Sequence, residues 1–114
     1  MREARIALET RLLHVFARVV VRVQPPLQAK RTVFGVGRLL PRLSLSEAEE
    51  TVRRLEGRGT CLTRALTVAA CLPGSDVVIG SDGVAEKFAA HAWVECNGDV
   101  INGMERSRHD IARL

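Results

Sequence analysis

The dipeptide Asn97-Gly98 constrains this chain more than any other feature. Asn-Gly between two strand-like runs reads as a two-residue hairpin turn, because both positions tolerate the left-handed backbone that such a turn needs. The run before it, Lys87 to Cys96, alternates so that His91, Trp93 and Glu95 share one face and Ala90, Ala92, Val94 and Cys96 the other. Asp99 to Asn102 then pairs back antiparallel. A two-residue turn sets Cys96 against Asp99, Glu95 against Val100 and Trp93 against Asn102, which puts Asn102 on the face of His91 and Asp99 on the opposite one. Val77-Val78-Ile79-Gly80 supplies an earlier strand, followed by a turn at Ser81-Asp82-Gly83.

The chain before this sheet has helical period. From Met1 to about Val23, residues Leu8, Leu12, Val15, Phe16, Val19 and Val23 recur at spacings of three and four and are expected to face the core. Arg11, His14, Arg18 and Arg22 form the opposite stripe, expected to be solvated. Pro25-Pro26 stops this helix, since proline removes an amide donor and clashes with the preceding turn. Gly35, Gly37 and Pro41 break any long element between Leu27 and Leu43. Ser46-Glu47-Ala48-Glu49 has the pattern of a capping box opening a helix that runs to about Glu56 and ends at Gly57. The next helix starts at Thr60 or Cys61, carries Leu62, Ala65, Leu66 and Ala69 on one face, and ends before Pro73-Gly74. Its small alanines imply close packing. Arg106 to Leu114 reads as a short frayed helix. Helices first and an antiparallel sheet second predict an α+β fold in one domain, 1–114, with an N-terminal helical region to residue 45 and a core from 46.

Composition narrows the functional classes. The net charge of +4 invites a nucleic-acid reading, but the arginines are scattered among 13 carboxylates and, with three Phe, one Trp and no Tyr, no aromatic stacking platform exists. Nucleic acid is therefore not expected as a partner. The apolar run Leu12 to Val23 is interrupted by His14, Arg18 and Arg22 and is too short to span a bilayer. Three cysteines, an odd number without a secretory signal, point to a reducing compartment and to the cytoplasm.

Chemistry concentrates at two places. If Thr60 is the N-cap, Cys61 occupies the first turn of its helix, and a helix N-terminus favours negative charge. His91 lies downstream in the strand run Phe88-Ala89-Ala90-His91-Ala92-Trp93-Val94-Glu95. A thiol at a helix start with an imidazole to take its proton is the arrangement of a cysteine nucleophile and its base. Cys71, at the apolar end of its helix, and Cys96, opposite His91 by strand parity, read as structural. The same parity argues against a zinc site from Cys61, His91 and Cys96, and no metal or cofactor is expected. Trp93 reads as core or cleft wall, and Arg64 as a partner for Glu95 or for an acidic substrate segment.

The blocks Cys61-Leu62-Thr63-Arg64-Ala65-Leu66 and Ala90-His91-Ala92-Trp93-Val94-Glu95, with Ile79-Gly80, Gly98 and Val100-Ile101-Asn102, resemble the transglutaminase-like cysteine peptidases that remove the leader from lasso-peptide precursors, specifically the stand-alone protease half of the split system. The resemblance spans roughly Ala48 to Asn102. It implies a transglutaminase-like or papain-like domain in which a catalytic helix packs on a small antiparallel sheet. It also implies Cys61 as nucleophile, His91 as general base, a precursor leader peptide as substrate, a separate leader-recognition protein and a downstream ATP-dependent cyclase. The family's third residue is usually an aspartate at the end of the next strand, where this chain has Asn102-Gly103. Asn102 can hold the imidazole through its side-chain carbonyl, as in papain-like sites, with Asp99 the alternative in a shifted register and Glu105 behind both. Two rivals remain open: an amide-forming acyltransferase or transglutaminase on the same site, and a non-catalytic peptide-binding module.

Overall fold

The computed structural model describes residues 2–81, 90–101, 104 and 109–114, without the side chains of residues 81, 90 and 109–112. Helices α1 (Arg2–Val23), α2 (Pro26–Gly37), α3 (Leu45–Leu55) and α4 (Cys61–Cys71) precede strands β1 (Ser75–Ser81), β2 (Ala90–Cys96), β3 (Asp99–Val100) and β4 (His109–Arg113). The strands form one antiparallel sheet in the order β3-β2-β1-β4. The architecture is α+β, as the sequence pattern predicts.

Helix α4 is the hub. It packs against α1, α2 and α3 and, on another side, against β1 and β2. Its residues Ala65, Leu66, Val68 and Ala69 are buried, in one cluster with Val33 of α2, Val77 of β1 and Val94 of β2. Small residues bring the backbones together: a Cβ placed on Gly37 would stand 2.7 Å from the Cβ of Ala70. Side chains in such a close-packed interior have no space to yield.

Helix α1 turns a different face inward from the one its apolar residues mark. Ile6, Thr10, Leu13, His14, Ala17 and Val20 are buried, whereas Leu8, Leu12, Val15, Phe16, Val19 and Val23 are exposed. Both stripes have helical spacing, so periodicity alone does not choose between them. The buried stripe contains Ala17 and Thr10, small enough for close approach, and the Thr10 hydroxyl donates to the Ile6 carbonyl at 2.7 Å, so its burial leaves no unmet hydrogen bond. His14 is satisfied likewise, as described below.

Three further boundaries differ from expectation. Pro25-Pro26 ends α1 but also starts α2, with Pro26 at a position whose missing amide has no intrahelical partner anyway. The capping box of α3 is Ser44 with Glu47, two residues before the Ser46 with Glu49 pattern. The C-terminal segment is a strand, not a helix: β4 pairs with the edge of β1 from Ser81 opposite His109 to Val78 opposite Arg113, with a bulge between Ile79 and Gly80. The unpaired hydrogen-bonding row of β1 outweighs the weak helical preference of this segment.

The hairpin forms as read. Asn97 and Gly98 have φ of 55° and 84°, and Cys96 pairs with Asp99 and Glu95 with Val100. The expected pairing of Trp93 with Asn102, the turn at Ser81-Asp82-Gly83 and the strand start at Lys87 lie outside the described residues.

Candidate active site

The start of α4 is built by a small set of polar contacts. Thr60 is the N-cap; its hydroxyl accepts from the Thr63 amide at 3.2 Å, and the Thr63 hydroxyl accepts in turn from the Thr60 amide at 3.0 Å. This reciprocal box satisfies two donors that a helix start leaves unpaired and fixes Cys61 in the first turn. His14 of α1, buried at 2% exposure, places Nε2 3.0 Å from the same Thr63 hydroxyl. Its sequence-based assignment to a solvated stripe is therefore corrected. Burial, reinforced by the positive charges of Arg18, Arg64 and Arg58, holds the His14 pKa below the ordinary value.

Gly59 completes the turn into α4 with φ of +60°, and a Cβ there would meet Thr63 Oγ1 at 2.6 Å and His14 Nε2 at 2.9 Å. Only glycine fits both the backbone and the space. Arg64, read as a partner for Glu95 or for an acidic substrate segment, does not meet Glu95: Nη1 donates to the carbonyls of Arg58 at 2.8 Å and Gly59 at 3.3 Å, tying down the loop that delivers Cys61.

Strand β2 approaches this helix start. The Ala92 amide donates to Cys61 Sγ at 3.3 Å, fixing the sulfur beside the strand position that follows His91. Cys61, His91 and Ala92 line one open cleft of about 310 Å³, walled by Arg53, Glu56 and Arg64. The two residues singled out from sequence, one on a helix and one on a strand, thus share a solvent-accessible cavity where a peptide carbonyl could reach the sulfur.

A family model described as the transglutaminase-like superfamily matches residues 2–114, nearly the whole chain. The chain belongs to the transglutaminase-like superfamily. That superfamily includes cysteine peptidases and acyltransferases. No curated protein and no solved structure matches the chain.

Within this transglutaminase-like domain the remaining candidates separate. Asp99 is exposed and pairs with Cys96, on the sheet face opposite that of His91, so its register matches the hairpin prediction. Asn102 and Glu105 lie outside the described residues. One feature escaped the sequence reading because it depends on β4: Gly80 is paired with His91 on one side and with Asp110 on the other. Asp110 therefore stands two strands from His91 at the same register, with a glycine between.

Trp93 is fully buried rather than part of the cleft, and its indole donates to Glu95 Oε2 at 2.8 Å. Glu95, also buried, receives Arg113 of β4 at 2.9 Å on its other oxygen. These contacts put Trp93 and Glu95 on one face of β2, while Ala92, Val94 and Cys96 belong to the helix-side cluster. Cys71 is buried, and desolvation pushes its thiol up to about 11, which makes it a poor nucleophile.

Proposed function

We propose that this transglutaminase-like domain is a cysteine peptidase that removes the leader from a ribosomally made lasso-peptide precursor. The observation that carries the reading is the shared cleft of Cys61 and His91, with the sulfur held by the Ala92 amide. In the proposed reaction His91 takes the Cys61 thiol proton as the sulfur attacks the carbonyl at the leader–core junction. Backbone amides at the start of α4, including that of Cys61, face the developing oxyanion. His91 then protonates the departing amine, and water, deprotonated by His91, hydrolyses the thioester and returns the thiol.

The resemblance of the Cys61-Leu62-Thr63-Arg64-Ala65-Leu66 and Ala90-His91-Ala92-Trp93-Val94-Glu95 blocks supports lasso-peptide precursors as the substrate class, with a separate leader-recognition protein and a later ATP-dependent cyclase as partners, and the three free cysteines support the reducing cytoplasm as the place of action. No helix among the described residues is long and apolar enough to cross a membrane.

The test combines precursor, recognition partner and this protein, and reads product masses. Leader removal is expected to fall by at least about a thousandfold in Cys61→Ala and in His91→Ala, with melting temperatures close to wild type, because both groups act in the chemical step. Cleavage by Cys61→Ala at the wild-type rate would overturn the nucleophile. With a primary amine present, an acyl product heavier than the free acid by the mass of that amine less one water would favour the acyltransferase reading over hydrolysis.

Asn102 is proposed as the residue that orients His91. Asn102→Ala should slow cleavage by about tenfold or more while Asp99→Ala stays near wild type, because the hairpin register turns Asp99 to the other face. A larger loss in Asp110→Ala than in Asn102→Ala would transfer the role to β4.

A further inference from the structure

The side of α1 opposite its buried face carries Leu8, Leu12, Val15 and Val19, all exposed and spaced by four, three and four residues. At 100° per residue these four form one straight seam, which matches the a and d positions of a heptad. Arg11, Arg18 and Arg22, all exposed, run along one flank of the seam, and Phe16 and Val23 along the other. Between Glu9 and Glu47 the chain contains no carboxylate at all, so neither α1 beyond its first turns nor α2 offers these arginines an acidic partner.

The seam ends in a second cavity, about 320 Å³, between α1 and the end of α3. Its charged lining is three arginines, Arg11, Arg54 and Arg58, over an apolar floor that includes Leu8 and Leu55. Arg54 also lies 3.9 Å from Glu50, a loose contact on an exposed pair that leaves the guanidinium free to take another anion. An apolar seam, a one-sided row of arginines and an arginine-lined cavity at its end make up one continuous surface.

We infer that this surface docks an amphipathic α-helix of another protein, one with apolar residues at heptad spacing and carboxylates along one flank. The partner's apolar residues would pack between Leu8, Leu12, Val15 and Val19, and its carboxylates would face Arg11, Arg18 and the Arg11–Arg54–Arg58 cavity. A second copy of this chain fits poorly: an antiparallel pair sets the arginine row against itself, and a parallel pair sets it against Phe16 and Val23, so neither supplies an anion. A lipid surface fits poorly as well. Apart from Arg2 and Arg5, which pair with Glu47 and Glu9, the cations of α1 flank one side only, and the helix has neither lysine nor an indole or phenol ring to sit at a headgroup layer. The inference stands independently of the chemistry at Cys61.

The test uses the full chain and two labelled helical peptides with leucine at a and d, one with glutamate and one with lysine at e and g, followed by fluorescence anisotropy. The acidic peptide is expected to bind saturably and the basic one not. Leu12→Glu and Val19→Glu should each weaken binding by at least about tenfold, and Arg11→Glu with Arg18→Glu should reverse the preference toward the basic peptide. All four positions are exposed, and circular dichroism checks that the variants remain folded. Absence of saturable binding, equal binding of both peptides, or binding retained in Leu12→Glu would overturn the inference. So would Leu12-dependent association with phosphatidylserine vesicles, or Leu12-dependent self-association in sedimentation, in the absence of peptide binding.

Discussion

Leu12 and Leu13 are adjacent on α1 and chemically identical, yet Leu12 is 60% exposed and Leu13 only 3%. The two faces of this helix therefore invert the usual correspondence. The outer face is the more apolar, while the inner face buries Thr10 and His14 beside Leu13 and Ala17. What selects the inner face is fit to α4: small side chains permit close approach, and the two polar groups find partners in the Ile6 carbonyl and the Thr63 hydroxyl. A helical period shows that a helix will form. Which side becomes covered is decided by shape and by hydrogen bonds that lie elsewhere in the chain.

Truncation of the two leucines separates the faces most strongly. Leu13→Ala should lower unfolding free energy by about 2–5 kcal/mol through lost burial and the cavity left behind. Leu12→Ala should stay within about 0.5 kcal/mol of wild type. Urea denaturation of both variants measures the difference. Equal losses would mean that the outer face is covered in the isolated protein and that the contrast between faces does not hold.

Gly59 joins the inner face to the candidate site, so its substitution should carry the next largest effect. Gly59→Ala forces a Cβ into Thr63 and His14 and a side chain onto a left-handed backbone, for an expected loss of about 1–3 kcal/mol. Gly57, also at positive φ but with nothing within 4 Å of a Cβ, should lose less on the same change. If the two alanine variants melt together, backbone strain alone accounts for both, and the His14–Thr63 packing contributes nothing.

The parts of the structure legible in the sequence are those whose cause is local. Thr60 caps α4 through residues three positions away, and Asn97-Gly98 turns the hairpin through its own backbone preference. The candidate pair Cys61 and His91 could be read because each sits where local pattern fixes its element, a helix start and an alternating strand. The missed parts depend on distant partners. Strand β4 exists because the edge of β1 needs pairing, His14 is buried because Thr63 offers it a hydroxyl, and Arg64 turns to the Arg58 carbonyl while Glu95 is held by Trp93 and Arg113. Asp110 enters the neighbourhood of His91 by the same strand pairing. Nothing in the residues around Asp110 signals it.

The smallest expected effect tests whether the polar inner face is a titrating one. The pKa of His14 is held below its ordinary value, first by burial and then by Arg18, Arg64 and Arg58, so the folded protein keeps the imidazole neutral where the unfolded chain begins to protonate. Above the ordinary histidine value near 6.5 both states are neutral and the group contributes no pH dependence. As pH falls through that value the unfolded chain binds the extra proton, and stability should decline. His14→Gln keeps a hydrogen-bonding group toward Thr63 but cannot titrate. Denaturation of wild type and variant at pH 7.5 and 5.5 should therefore show a steeper loss in wild type. Glu47, whose carboxyl is pulled down to about 2 by Arg2, remains ionised throughout this interval and does not blur the comparison. Parallel losses in the two proteins would place the pH sensitivity at other groups and leave His14 as a packing residue of the inner face alone.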